Sequence, residues 1–96
     1  MAEPAATQTA VLGDREHALR LFRQMALVRR FEERTEEQYT RARIGGYCHL
    51  AIGEEAASIG AIDALEEGDA LFASYRDHAT ALAVGSPAAA VMAELF

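Results

Sequence analysis

The order of elements along this chain predicts an α/β fold dominated by helix. Three observations carry that expectation. A helical hydrophobic period runs through residues 14–43. The apolar run Ala70-Leu71-Phe72-Ala73-Ser74, bounded by Asp69 and a polar cluster, has the length and composition of a buried strand. Helical patterns stand on both sides of that run, giving the helix–strand–helix order from which α/β sheets are assembled.

Residues 1–13, with Pro4 and scattered alanine and threonine, read as a flexible N-terminal arm. Asp14 then offers an N-cap, and Glu16 sits in the first turn, where the helix dipole favours an acid. Ala18, Leu21, Met25, Val28, Thr35 and Tyr39 follow one helical face, which Phe22 and Phe31 widen. Glu16–Arg20 and Glu37–Arg41 are i,i+4 pairs in the better orientation, each worth ~0.2–0.5 kcal/mol. Gly45-Gly46 is expected to end this helix.

Residues 47–52 read as a short extended or irregular connection. A second helix is predicted over 54–65, packed closely through Ala56, Ala57, Gly60, Ala61 and Ala64, with Gly68 near its end. After the strand, a third helix is expected over 77–84, stopped by Gly85. Ser86-Pro87 supplies an N-cap followed by proline at the first helical position of a last helix. No internal repeat is present.

With 96 residues the chain has the length of one small domain, and alanine supplies much of its 51% apolar content. All nine basic residues are arginine. Without lysine there is no P-loop phosphate lysine, no Schiff-base lysine and no lysine general base. Charge is lopsided. Residues 1–43 carry eight arginines against seven acids, whereas 44–96 carry Arg76 alone against eight acids. An acidic half of this kind is a poor surface for nucleic acid. Cys48 is the only cysteine, which excludes an internal disulfide and a cysteine-rich zinc site. No apolar run is long enough to span a bilayer. Residues 1–10 lack the marks of a signal or mitochondrial transit peptide, so the expectation is a bacterial cytoplasmic protein with no membrane association.

The chemistry-bearing residues cluster between Gly45 and Gly85. Tyr75-Arg76 follows the predicted strand and precedes a helix, a position favoured for ligands in open α/β sheets. The arginine fork suits phosphate or carboxylate; the plain alternative is a surface ion pair with Asp77 or Glu66. His49 stands between an aromatic residue and Leu50. A histidine there is commonly buried and hydrogen-bonded, yet its imidazole can hold a carboxylate or move a proton near neutral pH. His78 opens the helix after Arg76, with local bonding to the backbone or Asp77 set against a supporting role at a site. His17 falls among charges on a solvated face. Cys48 and His49 are adjacent, which is not zinc-ligand spacing, so no metal site is assigned. Glu54 and Glu55 suit a helix start but repel phosphate, which gives that turn a structural role.

The ordered segments Arg30-Phe31-Glu32, Gly45-Gly46-Tyr47-Cys48-His49-Leu50, Gly53-Glu54-Glu55-Ala56, Tyr75-Arg76-Asp77-His78 and Met92-Ala93-Glu94-Leu95 resemble the alpha subunits of thiamine-diphosphate-dependent 2-oxo acid dehydrogenases, most closely pyruvate dehydrogenase. The resemblance runs from about Leu19 to Phe96. It implies that residues 14–96 are the N-terminal, truncated part of a thiamine-diphosphate-binding domain whose parallel sheet is covered by helices. It further implies that His49 meets substrate, that Tyr75 and Arg76 meet substrate and diphosphate, and that His78 supports them. Branched-chain relatives usually lack a histidine at the position of His49, which favours a small substrate.

By the same resemblance, the parent enzyme decarboxylates pyruvate oxidatively and passes the acetyl group to a lipoyl-bearing acyltransferase. It does so as a heterotetramer with a beta subunit, using thiamine diphosphate and Mg2+. The family's metal signature, Gly-Asp-Gly with a later asparagine, is absent and is expected beyond Phe96. Two departures stand out: Glu54 replaces the family's glutamine, and Ala79 replaces its glycine. Within the family, acetoin and branched-chain 2-oxo acid dehydrogenases remain alternatives. A rival of another class is a helical module that binds protein or RNA through the Arg15–Arg43 segment; the glutamates interleaved with its arginines argue against that reading.

Overall fold

The computed structural model describes residues 14–96, so the expected arm at 1–13 lies outside the described residues. Four helices follow one another: α1 (Arg15–Thr40), α2 (Glu55–Asp63), α3 (His78–Ala83) and α4 (Ala88–Leu95). Helix α1 forms because no glycine or proline interrupts it and its first turn is capped. The Asp14 side chain accepts the His17 backbone N–H at 2.8 Å.

This helix stops three residues before the expected point, and its stop is not glycine. Ala42 takes a left-handed φ of 59°. The Arg43 N–H reaches the Gln38 carbonyl at 3.0 Å, and the Ala42 N–H reaches that of Tyr39 at 2.9 Å. These two bonds make a Schellman motif, here with a Cβ at the position glycine usually fills. Gly45-Gly46 lies beyond it. Gly85 closes α3 by the same two bonds, Ser86 to Ala81 and Gly85 to Leu82, at a φ of 107°, as expected. At α4 the cap is Pro87 itself, in extended backbone, and Ser86 precedes it.

The core lies where α1, α2 and α3 converge. Val28 and Phe31 from α1, Ala51 from the connecting loop, Ile59 from α2, and Ala79 and Leu82 from α3 are buried together. Met92, Val91 and Leu95 of α4 pack against them. Helix α2 joins this core through Ile59 and Glu55. Its small residues do not do the packing expected of them: Ala56, Ala57, Gly60, Ala61 and Ala64 are exposed, and nothing lies within 4 Å of a Cβ built on Gly60. Phe22 is likewise 66% exposed and does not widen the buried face of α1.

The expected dominance of helix is present, whereas no strand forms among the described residues, so the sheet of the α/β expectation is not seen within them. The segment 70–74 is strand-like in composition but pairs with no other strand among the described residues. Phe72 is 94% exposed and Leu71 is exposed as well. A strand needs a neighbour for its backbone groups, and none stands beside it.

Ion pairs tie α1 to α2. Arg29 grips Glu55 at 2.8 and 3.3 Å, and Oε2 of that carboxylate also accepts the Gly53 N–H at 2.6 Å. The Arg29 guanidinium is the main cause that holds the Glu55 carboxyl below its usual range. His17 and Arg20 both reach Asp63, at 2.7 and 3.2 Å. His17 is therefore a tether between helices and not a solvated residue, and Arg20 serves Asp63 in place of the expected Glu16 pairing. The other expected pair, Arg41 with Glu37, is present at 3.0 Å.

One carboxylate lies inside the core. Glu32 is fully buried; its Oε2 accepts the Ala51 backbone N–H at 3.1 Å, and its Oε1 lies 2.7 Å from His78 Nδ1. Phe31 presents its ring near-edgewise to His78 with centroids 5.8 Å apart. Thr35, one turn on from Glu32, is also fully buried and donates to the Phe31 carbonyl at 2.9 Å. Among the described residues no buried side-chain polar atom lacks a partner.

Two predictions follow from these contacts. The left-handed Ala42 costs roughly 1–2 kcal/mol, against about 0.5–1 kcal/mol of extra chain entropy for glycine. Ala42→Gly should therefore stabilise the protein by about 0.5–1 kcal/mol, seen as a higher urea midpoint at unchanged slope. The bond to Glu32 is the largest cause raising the His78 imidazole above its ordinary value of 6.5. A raised folded value gives stability that is complete below about pH 6.5 and is lost as pH climbs through that folded value. The stability advantage of the wild type over His78→Gln should accordingly shrink from pH 6 to pH 8, measured by paired urea unfolding.

Candidate functional site

Two loops meet at the surface near the start of α2. The first, residues 47–53, leaves the end of α1 and is pinned by Ala51 in the core; the second, residues 69–77, runs into α3. Their contact is aromatic. His49 lies against Tyr75 with ring centroids 4.4 Å apart and planes tilted by 52°. The Arg76 guanidinium carbon sits 5.6 Å from the Tyr75 ring centroid, within cation–π range. Arg76 Nη1 is 3.5 Å from Glu54 Oε1.

Residues 26 and 27 positions apart in sequence are thus brought into one cluster. His49 is exposed and not buried as such histidines often are, Tyr75 is 65% exposed, and Arg76 is about half exposed. Beside them Glu54, Ala57, Ser58, Ser74, Tyr75 and Arg76 line an open hollow of about 370 Å³. The small side chains on this face of α2 leave room for it. The partner of Arg76 is Glu54, and neither Asp77 nor Glu66 holds it. An exposed pair at 3.5 Å contributes only ~0–1 kcal/mol, so the guanidinium is readily recruited by a stronger anion.

Tyr47 points away, 93% exposed. Cys48 is half-buried, and burial first and the field of Glu32 second push its thiol up, which favours the protonated form. His78 does not join His49, Tyr75 and Arg76. It turns inward to Glu32, whose partnership was not anticipated; the expected local partners were the backbone or Asp77. Glu32 is one of the glutamates interleaved with the arginines of α1. Its position four residues after Val28 and three before Thr35 places it on the buried face, and that spacing was the available signal.

Among the described residues no three His, Cys, Asp or Glu side chains converge to hold a metal ion. No described helix is long and apolar enough to cross a membrane. The arginines of α1 and its C-cap are largely engaged: Arg20, Arg29, Arg30 and Arg34, with Arg41 at the cap, each pair with an acid. Helix α1 therefore presents no bare basic stripe of the kind nucleic acid selects.

The family described as "Dehydrogenase E1 component" matches residues 23–96. The "Pyruvate dehydrogenase E1 component subunit alpha" of Rhizobium meliloti is 49% identical over 81 residues, which cover 84% of this chain and 23% of the relative. The protein of the same name from Zymomonas mobilis is 46% identical over 83 residues, 85% of this chain and 23% of the relative. The chloroplastic "Pyruvate dehydrogenase E1 component subunit alpha-3" of Oryza sativa is 45% identical over 95 residues, 99% of this chain and 22% of the relative. The chain spans about a quarter of the length of the curated relatives it matches. No solved structure matches it. With three quarters of its residues inside one family match and ordered motifs throughout that span, the chain belongs to the dehydrogenase E1 component family.

Proposed function

We propose that this chain forms one wall of the cofactor and substrate site of a pyruvate dehydrogenase alpha subunit. The observation that carries the reading is the meeting of His49, Tyr75 and Arg76 beside an open hollow. The full reaction is the oxidative decarboxylation of pyruvate with transfer of the acetyl group to a lipoyl domain of the acyltransferase component. The subunit works in a heterotetramer with a beta subunit, in the bacterial cytoplasm. In the complete domain, segment 70–74 joins the parallel sheet of the α/β fold, which covers Phe72.

The donor set fits an anionic cofactor. Arg76 is the sole arginine of residues 44–96, which hold no lysine; it is half exposed, and its ion-pair partner Glu54 is weakly placed at 3.5 Å. A diphosphate carries more charge than the Glu54 carboxylate and offers paired oxygens to the guanidinium fork. Tyr75 holds that guanidinium over its ring and meets His49 in a tilted ring contact, so it links the two binding groups. His49 then presents its imidazole to the carboxylate of a 2-oxo acid. Thiamine diphosphate, when bound, supplies the carbon nucleophile and the electron sink for decarboxylation. This chain's own residues bind, orient and shield.

The described residues do not fit the metal, because no ligand cluster exists among them. Magnesium ligands belong, on this reading, to a Gly-Asp-Gly segment with a downstream asparagine elsewhere in the subunit. Reading the coding sequence past the Phe96 codon tests this: continuation without those residues removes the cofactor assignment.

Two substitutions in the assembled enzyme separate the roles. Arg76→Ala should weaken thiamine-diphosphate binding by ~1.5–3 kcal/mol, the range for hydrogen bonds to charged groups. His49→Ala should leave that affinity nearly intact and lower turnover with pyruvate. Calorimetric cofactor binding and steady-state kinetics with pyruvate, acetoin and a branched-chain 2-oxo acid give the contrast. Unchanged cofactor affinity in Arg76→Ala, or full activity in His49→Ala, rejects the corresponding role.

A further inference from the structure

Both loops of the site hang from the same buried carboxylate. Glu32 Oε2 holds the backbone N–H of Ala51, two residues after His49, and Glu32 Oε1 holds Nδ1 of His78, two residues after Arg76. Among the described residues no other side chain of the core accepts from both loops. The carboxylate is fully buried on α1, whose long capped helix gives it a fixed base. The His78 ring is held in turn by the edge of Phe31.

We infer that Glu32 is a positioning residue that sets the separation of His49 from Arg76, and so aligns the substrate contact with the cofactor contact. This inference rests on the roles proposed for those two residues. The physical case is geometric. A backbone N–H and an imidazole N–H offered to the two oxygens of one carboxylate fix two points about as far apart as those oxygens permit. The nearby chain segments, only two residues long on each side, leave little slack before His49 and Arg76. An apolar side chain at position 32 would pack but hold neither loop.

The groups that face this centre are few. Glu32 comes from α1, Asp77 from the residue before α3, Glu94 from α4 and Cys48 from the first loop. Asp77, Glu94 and Glu32 all favour the protonated imidazole, and the Cys48 thiol stays neutral. Glu32 accepts from Nδ1–H whether His78 is charged or neutral. A glutamine at position 32 differs in one respect. Its amide oxygen still accepts the Ala51 N–H, but its NH2 group meets Nδ1 productively only when that nitrogen is unprotonated.

The test uses the complete enzyme, assembled with its partner subunit and Mg2+. Thiamine-diphosphate Kd is measured by calorimetry and KM for pyruvate at saturating cofactor, from pH 6 to pH 8.5, for wild type, Glu32→Gln and Glu32→Ala. Glu32→Ala should raise Kd and KM together, about tenfold or more at every pH. Glu32→Gln should lie within about threefold of wild type at pH 8.5 and depart from it several-fold further at pH 6. A residue that merely stabilised the fold would lower the melting temperature of both variants and leave Kd and KM unchanged across pH, and that result overturns the inference. If Glu32→Ala does not assemble, Glu32→Gln decides alone: a variant-to-wild-type ratio flat across pH rejects it. Arg76→Ala and His49→Ala run alongside. If they leave both constants untouched, the site reading fails; if they change them and the Glu32 variants do not, only the positioning inference fails.

Discussion

The architecture depends on a buried charge that is paired on both oxygens. Taking a carboxylate out of water is costly unless its lone pairs are met, and Glu32 meets them with a backbone amide from one loop and an imidazole from another. The pairing explains why residues 47–53, which have no regular structure, still take a definite path. Ala51 is buried in the apolar cluster while its N–H is satisfied inside it. Removing one partner of such a pair typically costs ~3–5 kcal/mol. Helix α1 is thus more than a scaffold, because it delivers the acceptor around which the remaining segments arrange themselves.

The helices were legible where local chemistry decides them. Asp14 as a cap, the uninterrupted run to residue 40 and Gly85 as a stop follow from side chains within a turn of their effect. Ala42 was not legible, since a non-glycine residue at a left-handed stop breaks the usual correspondence between residue and conformation. The failure at 70–74 is of another kind. Apolar composition describes what a segment prefers to bury, whereas a strand exists only beside another, and sequence cannot say whether that other is present.

Charged residues were harder to read than apolar ones. His17, Arg20, Arg29 and Glu55 look like members of a solvated, self-paired helix surface, yet they cross to another element. Their partners lie 26 to 46 positions away, beyond any local spacing rule. The small-residue face of α2 misled in the opposite direction. Alanines and a glycine at helical intervals suggest close helix contact, but here Ala57 borders the hollow beside Arg76, Ala56, Gly60 and Ala64 line an open cleft towards Leu21, Phe22 and Met25 of α1, and Ile59 does the packing. Within the candidate site, residue types and order were legible. The distance between His49 and Tyr75 and the inward turn of His78 were not, because the first needs two distant loops to meet and the second a partner, Glu32, 46 positions away.

The bare segment around Phe72 has a consequence during synthesis. Ribosomes add about 5–20 residues per second, so an apolar stretch without a neighbouring strand is open to wrong partners from the moment it emerges until something covers it. Asp69 on one side and Arg76-Asp77 on the other bracket the stretch with charge, the arrangement by which sequences discourage intermolecular β-pairing. The Arg76 side chain, which borders the hollow in the finished protein, thus also borders the stretch most exposed to wrong pairing during synthesis.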